Sequence, residues 1–370
     1  MKKTLCITLF CLLISQVTWA GRAHIKNVAS EPYTSAIVIN SDTGETLFAD
    51  HADKKVYPAS VLKLMVLLTI LDQVDEGVVH LDDMVQITDE AYKMGGSQVY
   101  LDPSEQFPVD ELLYALMIQS ANDAAVALAT HVAGSKEAFV DMMNSKARDL
   151  GMKNTHFYSV HGLPPSTGQE VDVTTARDFA LLCRELAKRP EVFKYTSVKV
   201  RDFRDGKFIM RNHNHLLEKM PGCDGFKTGY FKAAGFSIAA TAKRNDTRLI
   251  ALVMGSQNRK VRDAKAIALL NKGFAIVAAD KRAGKISHKQ SAALSDSDTK
   301  KITTVMPQNT ALPVTAAPVN KKTINTPVTT KSNCLKSFLL GILTGAGLFA
   351  AFSFYIHRKR RSQNIRRPRL

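Results

Sequence analysis

Across residues 61–74 nearly every position is apolar, and Lys63 is the only cation in the run. A helix that is apolar all round has no solvent face and must lie inside a core. Pro58 suits the entry to its first turn. With 370 residues, 45% of them hydrophobic, the chain has enough apolar surface to surround such a helix. Lys63 then has two options. Its ammonium is stripped of water, which lowers its pKa, or its stem packs while its head reaches a rim.

The segments around this run predict a mixed α/β unit. Residues 36–39 and 46–48 read as two strands of a hairpin turned at Asp42-Thr43-Gly44. Residues 110–150 carry helical spacing through Ala124, Ala125, Leu128 and Ala129, and 171–186 reads as a further helix. Residues 235–242 and 248–254 alternate and pair across Arg244-Asn245-Asp246, and a helix over 259–274 closes the unit. Strands at both ends with helices between them predict an antiparallel β-sheet flanked by helices, with a helical lobe, over residues 24–280.

The formal net charge of +16 raises nucleic-acid binding as a function class. The distribution of charge argues against it. Residues 281–370 hold seventeen Lys and Arg against Asp296 and Asp298, whereas residues 21–280 carry 31 basic and 32 acidic groups. A groove that tracks phosphates needs a positive folded unit, so no nucleic-acid partner is expected.

The two ends read as targeting segments. Lys2-Lys3, the apolar run over 5–17 and the small residues Thr18 and Ala20 predict a signal peptide over 1–20. Residues 281–334, rich in Ser, Thr, Pro, Ala and Lys, predict a flexible linker. Residues 335–356 predict one transmembrane helix, uncharged from Ser337 to Ile356 and close to the ~20 residues a bilayer requires. Arg358, Lys359, Arg360 and Arg361 begin a basic tail over 357–370, which belongs on the cytoplasmic side. The expected topology is a single pass through the cell (inner) membrane with the folded unit outside. Gly341 and Gly345 form a G-x-x-x-G that permits a homodimer. Cys6 and Cys11 leave with the signal, and Cys183, Cys223 and Cys334 have no metal-like spacing.

Three short motifs occur in order: Ser60-Val61-Leu62-Lys63, Ser120-Ala121-Asn122 and Lys227-Thr228-Gly229. None is decisive alone, because Ser297 to Lys300 repeats the first pattern and Ser256 to Asn258 the second. Context separates them. Ser60 begins the buried helix with Lys63 one turn on, where a desolvated amine can take a serine proton. Ser120 ends an apolar helical pattern, where its hydroxyl can relay a proton and Asn122 can bind an amide. Lys227 and Thr228 supply a cation and a hydroxyl for a carboxylate, and Gly229 lets a substrate backbone lie close to a strand edge. A serine, two proton carriers and an anion site are the parts of an acyl-transfer centre.

This set of motifs resembles the signature of penicillin-binding proteins and serine β-lactamases. Tyr57-Pro58-Ala59-Ser60, Gly96-Ser97-Gln98, His161-Gly162-Leu163 and Asp224-Gly225-Phe226-Lys227 narrow the resemblance to the low-molecular-mass D-alanyl-D-alanine carboxypeptidases. The resemblance implies the penicillin-binding/β-lactamase-like transpeptidase fold and a serine hydrolase of peptidoglycan stem peptides. Ser60 is then the acylated nucleophile, Lys63 its proton acceptor and Ser120 the proton shuttle. Asn122 binds the substrate amide, Lys227 and Thr228 its terminal carboxylate, and the backbone N–H groups of Ser60 and Tyr230 the oxyanion. No metal or organic cofactor is implied, and β-lactam antibiotics are expected as inhibitors. The alternatives are a D,D-endopeptidase that cuts crosslinks, a β-lactamase, or a membrane β-lactam sensor. Two departures bear on substrate preference: Tyr230-Phe231 follows the K-T-G, and His213 stands where some relatives carry arginine.

Overall fold

The structure is a computed structural model that describes residues 25–284. The expected signal peptide, the linker beyond residue 284, the transmembrane segment over 335–356 with Gly341 and Gly345, and the tail over 357–370 lie outside the described residues. Among the described residues no helix is long and apolar enough to cross a membrane.

Strands β1 (Ser35–Asn40) and β2 (Thr46–Asp50) form the expected N-terminal hairpin. A 3-10 turn at Ala59–Leu62 leads into α1 (Lys63–Asp75), so regular helix starts a turn later than the sequence suggests. Next come β3 (Met84–Gln86), α2 (Asp89–Tyr92), β4 (Gln106–Pro108), paired with β3, and α3 (Val109–Tyr114). A wide π-type turn at Ala115–Gln119 precedes α4 (Asn122–Ala133) and α5 (Lys136–Asp149). The stretch read as one helix is therefore broken. Ser120 at φ 60° and Gly134 at φ 78° are left-handed, and a right-handed helix ends at such residues.

Helix α6 (Ala176–Ala187) begins where the Thr175 hydroxyl accepts from Asp178 N. The residues before it were expected to be helical but form bridges instead, Val173 with His156 and Thr174 with Val56. Helix α7 (Val192–Thr196), the ribbon β5 (Val200–Phe203) with β6 (Phe208–Arg211), and α8 (Leu216–Lys219) follow. The chain closes with β7 (Cys223–Phe231), β8 (Gly235–Arg244), β9 (Thr247–Ser256) and α9 (Arg259–Arg282). Asn258 caps α9, which runs past its expected end at 274.

The main sheet is antiparallel in the order β2-β1-β9-β8-β7, so the first strand lies between its hairpin partner and the last strand. Alternation sends its side chains into two cores. Ile37, Phe226, Ala239, Leu252 and Met254 join the core built on α1, α4 and α6. Val38, Ile238, Ala240, Leu249 and Val253 meet Ala266, Leu269 and Leu270 of α9. Every residue of α1 from Lys63 to Leu71 is buried, as an all-apolar helix demands.

Candidate active site

Lys63 takes the first of the two options open to it: it is 0% exposed and its head reaches no rim. Its Nζ turns back to within 3.1 Å of Ser60 Oγ, and it donates to Asn122 Oδ1 at 2.6 Å and to the His161 carbonyl at 3.0 Å. Burial holds its pKa well below that of an ordinary lysine. The nearby Lys227 charge acts in the same direction, and the Asp123 and Asp172 carboxylates oppose it. A neutral amine has two N–H groups, enough for the Asn122 and His161 oxygens, and its lone pair then faces the Ser60 hydroxyl as a competent base.

A second wall comes from the junction before α4. Ser120 is 2% exposed and held left-handed by the end of the π-type turn. Such backbone costs a non-glycine residue about 1–2 kcal/mol and clusters where function requires it. Ser120 lines the same cavity as Ser60. Asn122, two residues on, spends its Oδ1 on Lys63 and its Nδ2 on the Gly95 carbonyl at 2.6 Å. Asp123 receives Val99 N and Leu101 N at 3.1 Å each, which pins the loop beside Asn122.

The third wall is β7. The sequence places Lys227-Thr228-Gly229 before the C-terminal hairpin; in the structure they lie inside a strand, opposite Ala239, Ile238 and Ser237 of β8. Gly229 also serves the packing of the chain itself. A Cβ there would stand 2.7 Å from the Pro58 carbonyl, 2.8 Å from Val61 N and 2.9 Å from Ser60 N. Its missing side chain therefore admits the nucleophile turn against the strand, which brings the backbone of Ser60 beside that of β7. Lys227 is 2% exposed, and burial, aided by the Arg262 charge, pushes its pKa down to about 7. Tyr230 is 54% exposed and stacks on Phe236 with ring centres 4.1 Å apart.

The cavity between these walls measures about 330 Å³. Ser60, Ser120, Thr228 and Tyr230 line it, and so do His213, His215, Arg259 and Arg262, with no carboxylate among the lining residues. Burial and Lys227 push His213 down to about 4, so it is neutral at neutral pH. A small basic cavity of this kind suits a carboxylate. Sequence reasoning missed Arg262, which lies on α9 outside every motif. It passed over the His161 carbonyl because a backbone acceptor leaves no mark in side-chain patterns. Gly162 was a usable signal: at φ 73° a Cβ there would come 2.2 Å from the Ala59 carbonyl, so that loop must approach the nucleophile turn closely.

Three comparisons with known proteins bear on the family and the fold. The family model described as D-alanyl-D-alanine carboxypeptidase matches residues 23–258. The chain is 38% identical over 243 residues to the D-alanyl-D-alanine carboxypeptidase DacF of Bacillus subtilis, covering 65% of this chain and 61% of that one. It is 35% identical over 285 residues to DacA of Escherichia coli, covering 74% and 70%. The chain thus spans under two thirds of the Bacillus relative. Penicillin binding protein 5 of Haemophilus influenzae superposes with a TM-score of 0.62 at 33% identity, covering 69% of this chain and 73% of that one. Penicillin-Binding Protein D2 of Listeria monocytogenes in its ampicillin-bound form gives 0.59 at 29%, covering 68% and 100%. The mixed α/β architecture, an antiparallel sheet with helices, is that of the penicillin-binding proteins.

Proposed function

The chain belongs to the D-alanyl-D-alanine carboxypeptidase family, and from that premise we propose that it releases the terminal D-alanine of peptidoglycan stem pentapeptides through an acyl-enzyme on Ser60. The observation that carries this reading is the fully buried Lys63 with its Nζ 3.1 Å from Ser60 Oγ. Lys63 takes the hydroxyl proton as Oγ attacks the carbonyl of the penultimate D-alanine. The backbone N–H groups of Ser60 and Tyr230 meet the oxyanion as its charge develops. The tetrahedral intermediate collapses, the proton passes through Ser120 to the leaving amine, and free D-alanine departs. Lys63 then takes a proton from water, hydroxide cleaves the ester, and Ser60 regains its proton.

Lys227 and Thr228 hold the terminal carboxylate; Arg262 of α9 lines the same cavity, with its guanidinium paired to Asp263. Asn122 orients Lys63 and binds the substrate amide. β-Lactams acylate the same serine; the ampicillin-bound form of the Listeria protein supports this part of the reading. The basic n-region and the apolar stretch over 335–356 support a single-pass protein whose catalytic unit faces the cell wall. Crosslinking in the membrane tests whether Gly341 and Gly345 pair two copies. For the reaction itself, the full chain is incubated with a stem pentapeptide and free D-alanine is measured. Release by the wild type and none by Ser60→Ala is expected; equal release by both would remove Ser60 from the reaction.

A further inference from the structure

A second cavity, of about 500 Å³, lies between one face of α5 and the loop over residues 156–172. It is within the range of small-molecule sites, roughly 300–1,000 Å³. Its inner wall is fixed. Asn144 exchanges two hydrogen bonds with the backbone of Phe157, at 2.8 and 2.9 Å. The buried Asp172 accepts from Tyr158 N at 2.7 Å and from Ser159 Oγ at 2.7 Å, and Ser159 Oγ accepts in turn from Gly162 N at 2.9 Å. The same loop supplies the His161 carbonyl that receives Lys63 Nζ, so the cavity and the proton-transfer cage share a wall.

The open side of this cavity has a different character from the catalytic one. Tyr158 is 47% exposed and meets His156 with ring centres 4.5 Å apart and planes tilted by 54°, so an aromatic ring stands partly open to the cavity it lines. Asp141, Arg148 and Glu170 stand around it, and none makes a side-chain hydrogen bond or ion pair among the described residues. Their charges are of both signs, so an ion of either sign meets repulsion as well as attraction. A neutral ligand with many hydroxyls meets none. Carboxylate, guanidinium and amide groups bind neighbouring hydroxyls in pairs, and the C–H face of a pyranose packs on an aromatic ring.

We propose that this cavity is a saccharide subsite that takes neutral N-acetylated sugars, the glycan portion to which a stem peptide is attached. It deepens the carboxypeptidase reading by adding a handle on the substrate remote from the scissile bond, and binding energy realised there raises kcat/KM for glycan-bearing peptides.

The test has two arms, both on the full-length chain. In the first, tri-N-acetylchitotriose is titrated and binding followed by calorimetry; saturable binding that Tyr158→Ala or Asp141→Ala weakens at least tenfold is expected. In the second, kcat/KM is compared for a disaccharide-pentapeptide and the bare pentapeptide. The wild type favours the glycan-bearing substrate by about tenfold, mainly through KM. Tyr158→Ala brings that ratio near one without changing the bare-peptide rate, and Tyr158→Phe, which keeps the aromatic ring, preserves it. Absence of chitotriose binding, or one ratio for wild type and variants alike, overturns the subsite. Failure of the wild type on bare pentapeptide overturns the carboxypeptidase reading instead and leaves the titration to decide the subsite.

Discussion

Lys63 and Lys227 are both sealed from solvent, at 0% and 2% exposed, yet they sit in different company. Lys63 is held by three oxygens from three parts of the chain, Ser60 Oγ, Asn122 Oδ1 and the His161 carbonyl. Among the described residues Lys227 donates only to the carbonyl of Thr228, at 3.2 Å, and has Arg262 for a neighbour. Desolvation lowers both pKa values. In the first region the Asn122 and His161 oxygens take both N–H groups of the neutral amine, so its lone pair is left for the Ser60 proton. In the second, the ammonium has little company, and an incoming carboxylate supplies what is missing. Burial alone does not distinguish a base from an anion site; the number of acceptors already in place does.

The largest test of that contrast is Lys63→Ala, which should lower kcat for D-alanine release by about 10²–10⁴-fold, the usual span for loss of a general base, with KM little moved. Steady-state kinetics check it, and a KM-dominated loss would mean that the two lysines share one role. Lys227→Ala should lower kcat/KM by roughly 10–100-fold, as expected for one charged hydrogen bond of about 1.5–3 kcal/mol. Here the effect belongs mostly in KM, and a truncated substrate without its terminal carboxylate should lose the distinction between wild type and variant.

Ser120→Gly separates strain from chemistry. Glycine tolerates the left-handed backbone, so the melting temperature should hold or rise by a few degrees while turnover falls. A fall in both would place Ser120 in the packing rather than in proton transfer.

The smallest effect concerns pH. Lys227 is pushed down to about 7 in the folded chain from the ordinary lysine value of 10.5, and Lys63 is lowered as well. Between those pH values the unfolded chain keeps a proton that the folded chain has released, so stability rises with pH across this window. Melting curves from pH 7 to 9 should show the rise, and Lys227→Met should flatten it. Carboxylate affinity should move the opposite way, weakening as pH climbs through about 7 because the bound anion needs the charged form of Lys227.

Much of this was legible in the sequence where one residue type had one physical option. The all-apolar run could only be a core helix, and the turn at Asn245-Asp246 could only join two strands. The paired strands at each end gave the antiparallel sheet. What stayed hidden depended on contacts between distant segments. The pattern over 110–150 marked Ser120 as the end of an apolar helical stretch but not its left-handed backbone, which packing imposes rather than propensity. The bridges of Val173 and Thr174 to His156 and Val56 overrode helical spacing before α6. At Gly229 the close approach of the chain's own nucleophile turn could not be read from the sequence, because it joins segments far apart in the chain. Arg262 had no motif to announce it, since its place depends on where α9 crosses the end of the sheet.

Strand β1 pairs along its whole length with β9, Ser35 facing Met254 and Asn40 facing Leu249. A ribosome delivers these partners more than two hundred residues apart. Until the last hairpin emerges, β1 has a neighbour on one side only, and the Ser60 turn has no β7 to lean on. Contacts this far apart in the chain slow folding because a long loop must close before they reward it. They also tie the nucleophile to the last strands: a nascent chain halted before β9 has no finished sheet to hold β7 against the Ser60 turn.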